Sequence, residues 1–115
     1  MKTLDRFEQE RVYAYLNSLE YNFKASFKYD RHQQIDELVN NKFNIELLSY
    51  VCPELAQSFP EQIRDFVYQK QTQEEERLFL EQQILITFDY LFKRLALFSK
   101  NFKQEAKSIK RIKFF

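Results

Sequence analysis

Apolar residues return at intervals of three and four along most of this chain, which is the spacing of a helical face. Leu4, Phe7, Val12, Tyr15, Leu16 and Leu19 predict an amphipathic first helix with Thr3 as its N-cap. The next stretch supports two readings. Tyr21, Phe23, Ala25, Phe27 and Tyr29 alternate strictly with polar residues, as in a strand, yet Leu16, Leu19, Phe23 and Phe27 also continue the helical row. A strand needs a partner, and no second convincing strand occurs elsewhere, so helix is the favoured reading over 21–29.

Asp30 is placed to cap a helix through Ile35, Leu38 and Val39, ending at Asn40-Asn41, where asparagine tolerates the left-handed conformation that closes many helices. Asn44 is the expected cap of a short helix to Val51, stopped by Pro53 because the residue before proline is pushed out of helical geometry. Ser58-Phe59-Pro60-Glu61 reads as a capping box with proline at the first helical position, opening a helix that carries Ile63, Phe66 and Val67 toward Lys70. Thr72 to Glu75 reads as a second capping box, with Glu74, Glu75 and Glu76 in a first turn whose dipole favours negative charge.

No glycine or proline follows before the C-terminus. An unbroken helix of about forty residues would span ~60 Å, against ~35 Å for a compact domain of this length. It therefore breaks, near Ser99-Lys100-Asn101, or projects as an arm or dimer strut. Residues 78–98 hold 14 apolar side chains out of 21, enough to match a membrane span. Glu81, Asp89, Lys93 and Arg94 each cost roughly 3 kcal/mol near mid-bilayer, which excludes that assignment. The expected place for Leu78 to Phe98 is the centre of the bundle, or one face in the core and another at a subunit interface.

Composition agrees with helices. The chain of 115 residues contains no glycine and only Pro53 and Pro60, where average usage would supply about eight glycines, so phosphate loops and glycine-dependent tight turns are not expected. The fold class predicted is all-α, a small bundle of four to six helices with one long C-terminal helix, forming a single all-helical domain over 1–115 with a basic segment at 93–115. The N-terminal residues lack the apolar run of a signal peptide, so a cytoplasmic protein is expected. The abundance of Phe, Tyr, Lys, Asn and Ile is the set that A/T-rich codons encode, a pointer to a low-GC bacterium or a mobile element.

Charge separates the chain in two. Residues 1–92 hold 10 Lys/Arg against 16 Asp/Glu, and residues 93–115 hold 8 against 1, so segments of −6 and +7 hide behind a total of +1. Such asymmetry points to a polyanion or an acidic partner surface. On a helix Lys100, Lys103, Lys107 and Lys110 form one stripe, while Leu95, Phe98, Phe102, Ala106, Ile109 and Ile112 form another. With Lys93, Arg94, Arg111 and Lys113 these lysines are the candidate residues for contacting nucleic acid or an acidic partner. The plainer explanation is a solvated helix end that complements its own dipole.

Catalytic and metal chemistry are poorly supplied. His32 is the only histidine and has no second His or Cys at ligand spacing. Cys52, the only cysteine, is expected as a small buried hydrophobe. A helix-turn-helix over Ile35 to Val51 is a weak fit, because its second helix carries no Lys or Arg for phosphates. No cofactor, metal or catalytic residue is expected. Tyr13, Tyr21, Tyr29, Tyr50, Tyr68 and Tyr90 cannot all be core, and tyrosine is enriched at binding hot spots. The sequence thus suggests a non-enzymatic regulator or inhibitor, homodimeric, that occludes a protein partner. A direct nucleic-acid binder is the alternative.

Overall fold

The computed structural model describes residues 3–69 and 73–97. Five helices occur among them, α1 (Arg6–Ala25), α2 (His32–Val39), α3 (Lys42–Val51), α4 (Ser58–Tyr68) and α5 (Glu74–Ala96), with no strand. The all-α class and the long final helix are therefore as the sequence implies. No helix among the described residues is long and apolar enough to cross a membrane.

The organisation differs from the expected one in one respect. α1, not α5, is the hub, packing against each of the other four helices. Its row Val12, Leu16, Leu19 and Phe23 is wholly buried, with Phe23 at a junction of rings. Phe66 from α4 lies 5.4 Å from Phe23, and Phe88 from α5 lies 6.3 Å from Phe23 and 4.9 Å from Phe59. Edge-to-face and tilted packing of this kind adds to the burial of large apolar area. α5 contributes Ile84, Phe88, Leu91, Phe92 and Leu95 to the core, and none of its residues before Ile84 is fully buried.

The helical reading of the ambiguous segment holds as far as Ala25, after which Ser26 to Tyr29 turn through backbone bonds such as Tyr29 N–H to the Ala25 carbonyl at 2.9 Å. Phe23 is claimed by the core, and this fixes the three-to-four spacing over the alternating one.

Several caps fall elsewhere than the sequence suggests. Asp5, not Thr3, begins α1: its carboxylate accepts from the Glu8 amide at 2.8 Å, and Glu8 returns the bond to the Asp5 amide at 3.2 Å. Leu4 is drawn into the core, so the helix starts only after it. Asn41, not Asn44, caps α3 by accepting from the Asn44 amide at 3.1 Å, while Asn44 is buried within the helix. Neither Asn40 nor Asn41 is left-handed, and no described residue has positive φ. The Asn41 side chain is needed for the next cap, and the two-residue connection turns without leaving ordinary backbone regions.

The capping box at Ser58 to Glu61 does not form. Turn residues 53–57 lead directly into α4, the Phe59 amide reaches the Leu55 carbonyl at 2.9 Å, and the Ser58 hydroxyl donates to the Glu54 carbonyl at 3.1 Å. The first-turn donors thus find backbone partners. α4 ends at Tyr68, short of Lys70, and α5 begins after Gln73, one residue later than a box starting at Thr72 requires. Thr72 itself, and the break anticipated near residues 99–101, lie outside the described residues.

Candidate functional site

Of the eight basic residues singled out by the charge pattern, Lys93 and Arg94 are described, in the last turn of α5 where cations complement the helix dipole. Arg94 has a structural partner. Its Nε donates to the Val51 carbonyl at 3.1 Å, at the C-terminal end of α3. Lys100, Lys103, Lys107, Lys110, Arg111 and Lys113 lie outside the described residues, so the proposed stripe is not among the surfaces that follow.

A different surface draws together side chains from three loops and helix ends. At the end of the bundle where α1 gives way to α2, the Arg31 guanidinium sits 5.7 Å from the Tyr21 ring centre and 5.8 Å from that of Tyr29. Both tyrosines are 63% exposed. These distances fall within cation–π range. Arg31 Nε is buried without a hydrogen-bond partner, an unusual condition for a charged group.

Beside this sandwich, the His32 ring stands edge-on to Tyr68 at 4.4 Å between centres. Asp30 accepts from the His32 amide at 3.0 Å and pairs with His32 Nδ1 at 2.5 Å, while the Tyr68 hydroxyl donates to Asp36 at 2.5 Å. The Asp30 carboxyl is held below the usual carboxylate range, first by the His32 amide and then by its ring. The Tyr68 phenol is pushed up by its bond to Asp36. The carboxylates thus fix the orientation of two rings at the rim. Next to them Phe27, Tyr29, His32, Phe66 and Arg77 line a cleft of about 240 Å³, with Arg77 5.9 Å from the Phe27 ring centre.

A second aromatic–arginine stack joins α1 and α3, with Arg11 4.8 Å from the Phe43 ring centre and 5.8 Å from that of Phe7. Of the tyrosines named from sequence, Tyr21, Tyr29, Tyr68 and Tyr90 are exposed, whereas Tyr13 and Tyr50 pack partly against the core. Arg31 and Arg77 were not foreseen as site residues. The Phe7/Arg11 pair, four apart on one helix, was visible in principle; the Tyr21/Arg31 and Phe27/Arg77 pairs arise only from tertiary folding.

Cys52 is buried, as expected, and its thiol donates to Glu54 at 3.0 Å. Burial, then the Glu54 bond, pushes the thiol pKa up, which disfavours the nucleophilic thiolate. Among the described residues no group of three His, Cys, Asp or Glu side chains is placed to hold a metal. No protein-family model, curated protein or solved structure matches the chain.

Proposed function

We propose that this chain is a non-enzymatic regulatory protein that binds a partner protein through the face built on Tyr21, Tyr29, Arg31 and Tyr68, and acts by occluding the surface it covers. The observation that carries the reading is the Arg31 sandwich. Tyrosine and arginine are enriched at binding hot spots, and here the exposed Tyr21 and Tyr29 flank a half-buried Arg31 while the exposed Tyr68 is held by Asp36. Preorganised side chains lose less freedom on docking. The basic residues 93–115 would add contacts to an acidic region of the same partner.

Affinity capture from the native host tests this, with wild type beside Tyr29→Ala and Arg31→Ala. A partner retained at ~200 mM salt by wild type, and bound at least tenfold more weakly by both variants, supports the reading. Equal capture by all three overturns it.

The charge pattern favours a second reading, direct nucleic-acid binding through Lys93, Arg94 and the lysines that follow. Titration into single- and double-stranded DNA and RNA at ~50 and ~200 mM salt separates the two, because six phosphate contacts lose about a thousandfold over that range. The acidic side chains Asp30 and Asp36 make the aromatic face itself a poor host for phosphate.

A further inference from the structure

α5 presents a second apolar face, directed away from the core, that the proposed binding face does not use. Phe79, Ile86, Tyr90 and Leu97 are 61%, 57%, 48% and 68% exposed, whereas Ile84, Phe88, Leu91 and Leu95 on the opposite side are buried. The exposed positions follow the alternating four- and three-residue steps of a two-helix seam, Phe79, Gln83, Ile86, Tyr90, Lys93 and Leu97. Glu76 extends the row at its N-terminal end.

We infer that a second copy of the chain covers this face, with the two α5 helices antiparallel and Phe79 of each opposite Tyr90 of the other. Charge along the seam selects this orientation. A parallel pair would set Glu76 against Glu76 and Lys93 against Lys93, whereas the antiparallel register has different consequences. Glu76 lies three residues before Phe79 and Lys93 three after Tyr90, so the register that stacks Phe79 on Tyr90 also brings Glu76 of each copy to Lys93 of the other. Gln83 then faces Ile86 on either side of the two-fold axis. A polar residue at one seam position costs stability but fixes register.

The interface is isologous, as a two-fold dimer requires. It would cover Phe79, which stands in first turns of α5 that bury no residue fully.

Light scattering and sedimentation equilibrium on the full chain test the inference. Wild type is expected at twice the chain mass at ~100 µM. Ile86→Glu and Phe79→Glu, both at exposed sites, should give monomers with helical content and thermal midpoint of the monomer intact. Glu76→Lys and Lys93→Glu should each weaken the dimer severalfold at low salt, and the double exchange should recover wild-type affinity within about twofold. A monomeric wild type, in which another segment or partner covers the face, overturns the inference. So does a dimer indifferent to Ile86→Glu, or a double exchange weaker than either single one.

Discussion

Arg94 reaches across 43 residues of sequence to donate its Nε to the carbonyl of Val51. The last turn of α5 is thereby tied to the last turn of α3, where Pro53 prevents the helix from continuing and leaves carbonyls in need of donors. Lys93, its neighbour in the basic segment, is exposed beside it. Arg94→Ala is expected to cost about 1 kcal/mol in urea unfolding. An unchanged midpoint would mean that the bond to Val51 contributes nothing.

Tyr15 binds α1 to α2. Its buried hydroxyl donates to the Leu38 carbonyl at 2.6 Å, and burial raises the phenol pKa well above its ordinary value of 10.0. The proton is held more tightly in the folded protein. The stabilisation is therefore complete below pH 10 and is lost as pH rises from there through the raised folded pKa. Tyr15→Phe should cost about 1 kcal/mol at neutral pH and flatten the alkaline limb of the stability curve, measured by denaturant midpoints between pH 8 and 11.

Asp30 gives the opposite sign. Its carboxyl pKa is depressed by the His32 amide, so its contribution is present above the ordinary carboxylate pKa and is lost as pH falls through the folded value. Asp30→Asn should flatten the acid limb of the stability curve and lower stability at neutral pH by the same amount, since the lost contribution is the one present above the carboxylate pKa. An unaltered acid limb would show that the turn before α2 does not depend on this charge.

Phe23 touches rings from α4 and α5 and is completely buried. Phe23→Ala is expected to cost about 3–5 kcal/mol, a large part of the total stability of a domain this size. Phe23→Leu should recover more than half of that loss, as read by thermal unfolding.

Cys52 should resist alkylation in the native state at pH 8 and react at the rate of opening, since its thiol is both buried and held above its ordinary pKa. Rapid labelling without denaturant would contradict the packing around α3 and the following turn.

The helices were legible because burial in this protein follows periodicity closely: Val12, Leu16, Leu19 and Phe23 read as one face and are one face. Their ends were less so. Thr3, Asn44 and Ser58 each have the chemistry of a cap, but the cap is decided by which neighbour the core takes. Leu4 and Asn44 are pulled inward, and residues 53–57 supply backbone partners that make a Ser58 cap unnecessary. The abundance of Phe and Tyr announced surplus aromatics without saying where they would gather. Tyr21 and Arg31 meet only because the chain reverses between α1 and α2, a turn that periodicity does not encode.

A backbone without glycine, in which no described residue takes a positive φ, also changes the denatured state. Each glycine in a helix or strand costs roughly 0.5–1 kcal/mol relative to alanine because it has the most freedom to lose. A chain that would ordinarily carry about eight begins folding from a narrower ensemble. Part of the stability of this bundle therefore resides in conformations that its unfolded form never visits.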